Sequence, residues 1–374
     1  MAFLNMSDDY TPEESTQTKK KPSLMDKMMK AGSVKYSSVL SKSTFFGKKD
    51  FIKTIIPALN VAYSGELDGG VVPGLTVLAG PSKHFKSNMG LIGVSAYLKK
   101  YPDAICLFYD SEFGITPEYL AAQDVDPDRV LHVPIMHIEE LKFDVTKRLD
   151  EVERGDHMII FIDSIGNLAS KKETEDALEG KSVADMSRAK ALKSLFRIMT
   201  PQLTAKDIPC IAINHTYQEI GLYPKAIVSG GTGIYYSASA IFIIGRQQEK
   251  GADGEIDGYN FIINIEKSRY VKEKAKIPVS VTYAGGVSQY SGILDWGMAG
   301  NFIAKPANGW YQELDKDTGE FVGQKYRLKD IEPLLEKTLN KPEFAEFVKN
   351  KFKLIGNHTE AEIEEQDIDA EIDD

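Results

Sequence analysis

The chain has 374 residues, a formal net charge of −10, 42% hydrophobic residues and a mean hydropathy of −0.26, enough for one full-sized core with smaller domains attached. No apolar run approaches bilayer length, which excludes a membrane-spanning helix, and the charge excludes a nucleic-acid binder that relies on a global basic field. The charge is uneven, however: residues 357–374 carry nine acids and no Lys or Arg, so the rest is near neutral and any nucleic-acid contact must come from local basic patches.

Residues 1–22 are polar, lack periodicity and end in Lys19-Lys20-Lys21-Pro22, which predicts a disordered extension without a signal-peptide apolar core. Segment 23–48 opens with Ser23 and Asp26, carries the apolar pairs Leu24/Met28 and Met25/Met29, and has a stop at Gly32. This spacing predicts a short capped helix. It is too short to stand alone, so its Leu/Met stripe must dock, either on its own core or on a neighbouring copy.

Residues 49–290 read as the main domain. An entry segment leads to LTVLAGPSKHFKS, Leu75 to Ser87: a buried strand, a turn opened by Gly80, then Lys86-Ser87 and a helical period to Lys100. Strand, glycine turn, Lys-Ser and helix is the context of a phosphate-binding P-loop, because backbone N–H groups and a helix N-terminus converge there on a polyanion. Gly80, Pro81, Ser82, Lys83, His84, Phe85, Lys86 and Ser87 form the candidate ATP cradle, with Lys86 reaching the terminal phosphates and Ser87 ligating Mg²⁺. The usual pattern has a second glycine where this chain has Phe85, so the loop must accept a Cβ there. An ordinary Gly-Pro turn before a helix is the alternative.

Strands are then predicted at 104–110, 130–133, 158–164, 208–215, 240–245 and 260–265. They alternate with helices ending at 100, near Pro117, at 138–154 and at 183–203, which implies a mostly parallel, doubly wound sheet. The apolar run Met158 to Ser164 contains Asp163 at its carboxyl end, placed to hold Mg²⁺ or its water, or simply to close the strand as a turn residue. CLFYDSEFG puts Asp110 and Glu112 at another strand end; Glu112 is the better water-activating base, and an N-cap or solvated loop role is open to either carboxylate. AINHTYQ places Asn214 and His215 where polar groups sense a γ-phosphate and pass its presence to the following loop. His215 also reads as a satisfied strand-end histidine. Cys106 and Cys210 lie in apolar runs, as small buried hydrophobes of a reducing compartment do, and no His/Cys cluster has metal-ligand spacing.

Two long polar stretches, 169–186 and 216–233, interrupt the sheet, and loops of this length are usually functional. The first carries Lys171, Lys172 and Lys181 among five acids, which also suits a solvated loop. The second runs from Tyr217, Tyr223 and Lys225 into Gly230-Gly231-Thr232-Gly233, the aromatic, basic and flexible mix of single-strand binders. Between them Lys190, Lys193 and Arg197 share one helix face, either a phosphate stripe or a solvated surface. Residues 291–356 read as a small α+β domain, with a hairpin at 310–313 and 321–325 and amphipathic helices near 331–339 and 342–352; 357–374 is an acidic tail.

With AGPSKHFKSN, CLFYDSEFGITPEY, FIDSIGNLASKKETEDAL, PCIAINHTY, GGTG and EKSRYVKEK in order over about residues 45–355, the sequence resembles the RecA-family recombinases, in particular their T4-type phage branch. That branch also lacks the second P-loop glycine. The resemblance implies an α/β fold: a RecA-like P-loop ATPase core with a mostly parallel central sheet, a short N-terminal helical element and a small α+β C-terminal domain. It implies a DNA-dependent ATPase using ATP and Mg²⁺, a helical homo-oligomer on single-stranded DNA, and homologous pairing and strand exchange with double-stranded DNA in recombination, repair and replication. Single-strand-binding and mediator proteins follow as partners, and a host bacterial cytoplasm as the location.

By position, the resemblance gives Glu112 the water-activating role and Tyr119 the adenine-stacking one. Lys267 and Arg269 match a charge clamp that reaches a neighbour's γ-phosphate, although a solvated strand end would look the same. His215 stands where bacterial members carry a sensing glutamine. The long loops correspond to DNA-binding loops, the N-terminal helix to a polymerisation element, and the acidic tail to tails that restrain duplex binding. The rival readings are a hexameric helicase on the same core and a non-catalytic filament that binds ATP and coats DNA.

Overall fold

The computed structural model describes residues 22–34, 37–43, 50–181, 187–219, 225–250 and 254–354. The extension expected at 1–22 (apart from Pro22), the acidic tail at 357–374 and Tyr223 lie outside the described residues. The chain separates into two units, residues 1–49 and 50–374.

In the first unit, α1 (Leu24–Ala31) starts as its capping box dictates: Ser23 Oγ accepts from the Asp26 N–H at 3.1 Å, and Asp26 Oδ2 accepts from the Ser23 N–H at 3.0 Å. Leu24, Met25, Met28 and Met29 are all exposed.

The second unit begins with α2 (Pro57–Ser64) and continues through β1 (Gly74–Ala79), α3 (Lys86–Lys100), β2 (Ile105–Asp110), α4 (Pro117–Ala122), β3 (Val130–Pro134), α5 (Ile138–Glu151) and β4 (Met158–Asp163). Next come α6 (Lys171–Leu178), α7 (Ser187–Ala205), β5 (Pro209–Asn214), β6 (Thr216–Gln218), β7 (Ala226–Val228), α8 (Thr232–Ser237), β8 (Ala240–Lys250), β9 (Ile256–Ser268), β10 (Lys276–Thr282) and β11 (Gly286–Val287). A carboxyl-terminal group follows: α9 (Ile293–Ala299), the antiparallel strands β12 (Ile303–Ala307), β13 (Trp310–Leu314) and β14 (Phe321–Arg327), then α10 (Glu332–Leu339) and α11 (Pro342–Phe352).

Nine strands form one sheet in the order β11-β10-β9-β8-β1-β5-β4-β2-β3. All pairings from β3 to β8 are parallel. Parallel strands are buried on both faces, so they read as continuous apolar runs rather than alternating ones. Along β4, Ile159 and Phe161 join the core that contains α2 and α3, while Ile160 and Ile162 join the core that contains α5 and α7. Helix α3 lies close to the sheet because Gly90 lets it: a Cβ there would stand 2.5 Å from the Phe161 ring. The carboxyl ends of β1, β2, β4 and β5 therefore share one crest, with Ala79 in register with Asn214 and Asp110 with Asp163.

Four expectations change. Segment 169–186 is not all loop: α6 forms there, capped by Ser170 and Glu173 and laced by Lys171–Glu175 and Lys172–Asp176 ion pairs at i,i+4. Segment 216–233 holds an antiparallel ribbon of β6 and β7 and the start of α8. The pairings of β8 with β9, β9 with β10 and β10 with β11 are antiparallel and extend the sheet beyond the predicted strands. Finally, β12 turns the predicted hairpin into a three-stranded sheet. Among the described residues no helix is long and apolar enough to cross a membrane. Cys106 and Cys210 are free and buried, and burial pushes both thiols well above their ordinary pKa.

Candidate functional site

The loop from Gly80 to Phe85 leaves β1 at the crest and delivers Lys86 and Ser87 to the first turn of α3. Phe85 takes the left-handed backbone that glycine usually supplies, φ 59° and ψ 17°. Its ring stacks on Phe261 of β9, with centroids 5.2 Å apart and planes 17° apart. Lys83 is also left-handed, at φ 61°, and its carbonyl accepts from Arg246 Nη1 at 3.2 Å. Arg246 in turn lies 4.7 Å over the Tyr259 ring. His84 Nδ1 contacts the Ser82 carbonyl at 2.9 Å. Side chains from β8 and β9 thus support the loop where a second glycine is missing.

Lys86 is 6% exposed, and its Nζ donates to the Pro81 carbonyl across the loop at 2.7 Å. Burial lowers its pKa, and the carboxylates of Asp163 and Glu112 oppose that shift. Asp163 is 4% exposed. Burial, aided by the nearby Glu112 and Asp110, pushes its pKa up from 3.8 to about 6, against the hydrogen bond from Ser87 and the charge of Lys86. Asp163 Oδ1 is buried without a hydrogen-bond partner. A lone buried carboxylate oxygen beside a hydroxyl suits a hard divalent cation such as Mg²⁺, completed by phosphate oxygens and water. Among the described residues no group of three or more His, Cys, Asp or Glu is placed to hold a metal without such help.

Asp110 and Glu112 divide as the sequence allows. Asp110 Oδ1 accepts the N–H groups of Glu112 and Phe113 at 3.0 and 2.8 Å, and Oδ2 meets His132 at 3.1 Å, so it shapes the turn. Glu112 is exposed and reaches across to the turn after β4. Its Oε1 accepts from Ser164 Oγ at 2.7 Å and Asn167 Nδ2 at 3.0 Å, and lies 3.4 Å from His215 Nε2. Gly166 is required here: a Cβ on it would stand 2.3 Å from His215 Cδ2. Asn214 is buried; its Nδ2 donates to the Ser229 carbonyl at 2.7 Å and its Oδ1 accepts the His215 N–H at 2.8 Å. Tyr119 on α4 donates to Asn88 of α3 at 2.8 Å and is close enough to Asp163 for that charge to raise its pKa, though burial contributes more. Lys86, Ser87, Asp163, Glu112, His215, Asn214 and Tyr119 therefore gather around one crest.

Residues 50–288 match the family described as the RecA N-terminal domain, and residues 290–348 match the C-terminal domain of the bacteriophage T4 recombination and repair protein. The chain is 52% identical over 311 residues to the "Recombination and repair protein" of Enterobacteria phage T4, covering 82% of this chain and 79% of that protein. It is 26% identical to "Protein RecA" of Kineococcus radiotolerans, covering 69% and 73% of the two chains, and 26% identical to that of Paenarthrobacter aurescens, covering 77% and 82%. The chain belongs to the RecA family.

Within this RecA-family core, two predicted residues stand away from the crest. Because β9 runs antiparallel to β8, its carboxyl end, which includes Lys267 and is followed by the exposed Arg269, pairs with the start of β8 and lies towards the end of the strands away from the P-loop. Lys267 donates to the Tyr235 carbonyl of α8. Burial and the neighbouring Arg269 lower its pKa.

The predicted DNA residues fall into separate groups. Lys190, Lys193 and Arg197 are exposed on α7. The Gly230–Gly233 turn packs beside this helix, with a Cβ at Gly231 falling 3.9 Å from Ala189 and one at Gly233 falling 2.9 Å from Lys193. Tyr217 and Lys225 are exposed on or next to the β6–β7 ribbon, while Lys171 and Lys172 pair with acids on α6. Sequence reasoning missed Phe261, Arg246 and Arg188. The first two act on residues more than 150 positions earlier in the chain, and Arg188 binds backbone carbonyls, so no local side-chain pattern marks them.

Proposed function

We propose that the chain is an ATP-dependent recombinase that polymerises on single-stranded DNA and pairs it with homologous duplex. The observation that carries this reading is the contact of Glu112 with the turn after β4 and with His215 after β5, which joins the P-loop crest to the two segments proposed to touch DNA.

In this reading the P-loop amides and Lys86 hold the phosphates, and Ser87 and Asp163 hold Mg²⁺, which would neutralise phosphate charge. Glu112 orients and deprotonates the attacking water. Asn214 and His215 would sense the γ-phosphate, a role supported by their direct bonds to Ser229, in the segment that leads from the ribbon to Gly230 and Gly231. Tyr119, held against α3 by its bond to Asn88, would stack on adenine. Lys267 and Arg269 lie at the end of β9 away from their own P-loop, which suits delivery of their charge to a neighbouring subunit's nucleotide. Lys190, Lys193, Arg197, Tyr217, Lys225 and the glycine turn form the proposed single-strand surface; Lys171 and Lys172 would join it by exchanging their acid partners for phosphate. The proposed setting is a bacterial cytoplasm, with single-strand-binding and mediator proteins as partners.

The test is ATP hydrolysis by the purified chain with and without single-stranded DNA across a salt titration. Stimulation that fades with salt is expected, since phosphate contacts release counterions. Absence of stimulation overturns the reading in favour of a passive DNA-coating filament, and closed rings under the electron microscope would favour a helicase. Lys86→Ala should abolish turnover in both conditions by removing charge stabilisation at the transferred phosphate.

A further inference from the structure

We propose that Arg188 is a positioning residue for hydrolysis, tying the turn that holds Glu112 to the strand end that carries Asn214 and His215. This rests on the proposed function.

Arg188 sits in the first turn of α7. Its Nη2 donates to the carbonyls of Ile165 and Gly166 at 2.9 and 2.8 Å, and its Nε to the carbonyl of Leu168 at 2.8 Å. Those carbonyls are interleaved with Ser164 and Asn167, the two residues whose side chains hold Glu112 Oε1. The remaining arm, Nη1, reaches Ser229 Oγ at 3.4 Å. Ser229 is the residue whose N–H donates to the His215 carbonyl at 2.9 Å and whose own carbonyl accepts from Asn214. One guanidinium therefore closes a circuit through both turns. Burial lowers its pKa, and Glu173 opposes that shift.

The planar fork of arginine spreads five N–H donors over three nitrogens, whereas a lysine ammonium offers three from a single nitrogen and reaches fewer of these acceptors. The same helix exposes Lys190 and Lys193 immediately after Arg188. A polyanion that draws on those lysines displaces α7, and through Arg188 moves the turn that orients Glu112. Misplacement of a catalytic group by about 1 Å lowers rate by up to about a hundredfold, so a small shift of this turn is enough to gate turnover.

The test uses the full chain with Arg188→Lys and Arg188→Gln, measuring kcat and KM for ATP with and without oligo-dT, alongside Tm. Expected is a KM within about twofold of wild type, a DNA-stimulated kcat lower by about tenfold or more in Arg188→Gln, and partial recovery in Arg188→Lys. A kcat within about twofold of wild type in both variants, with and without oligo-dT, overturns the proposal. So does a parallel fall of kcat, ATP affinity and Tm, which would mark a merely structural residue. If wild type itself shows no stimulation, the proposed function fails; Arg188 is then judged on DNA-free kcat, which Arg188→Gln must lower at unchanged KM.

Discussion

Phe85 holds a left-handed backbone that costs a residue with a Cβ about 1 kcal/mol, and its stacking on Phe261 returns a comparable amount. The two residues should therefore be coupled. Phe261→Ala is expected to raise KM for ATP about fivefold by freeing the loop, and adding Phe85→Gly should restore much of the loss, since glycine needs no buttress at φ 59°. Additive effects in that cycle would show that the stack does not hold the loop. Asp163 gives a second prediction at this scale. In the unfolded chain it ionises near 3.8 and in the folded protein at about 6, so its charge destabilises the metal-free fold increasingly as pH rises from 3.8, and fully above 6. Asp163→Asn should then stabilise the Mg²⁺-free protein by about 1–3 kcal/mol at pH 7.5. Urea midpoints should show the gain shrinking towards pH 4, and the variant should lose stabilisation by Mg²⁺ and nucleotide.

Among the elements, the parallel strands and the P-loop were legible because burial on both faces writes long apolar runs, and because Lys86-Ser87 follows a glycine turn. Helix α6 was not, since it has no buried face; its only local signals were the Ser170/Glu173 box and the i,i+4 ion pairs. The three-residue strands β6 and β7 are too short for alternation to register. The candidate site was legible wherever a polar residue ends an apolar strand, as at Asp163 and Asn214. It was illegible wherever a side chain bonds backbone carbonyls far from it in sequence, as Arg188 and Arg246 do. Helix α7 carries the prediction proper to this scale. If Lys190 and Lys193 meet phosphates, replacing both by Ala should reduce the slope of log affinity for single-stranded DNA against log salt by about 1.4, close to 0.7 per lost contact. An unchanged slope would leave the stripe as a solvated face.

For the whole molecule, α1 presents Leu24, Met25, Met28 and Met29 to solvent, and a helix of eight residues gains stability mainly by burying such a face. In the proposed filament a neighbouring copy buries it. Met25→Asp with Met28→Asp should reduce the assemblies seen by light scattering while leaving the circular dichroism of the core intact; assemblies of unchanged size would detach α1 from polymerisation. The antiparallel run of β9 has its own consequence. It sets Glu112 and the Lys267/Arg269 pair on opposite rims of one sheet, so on the proposed reading each chain owns half of two reaction chambers and the whole of none. Dilution alone then silences the enzyme, and the last chain at one end of every filament is idle by construction.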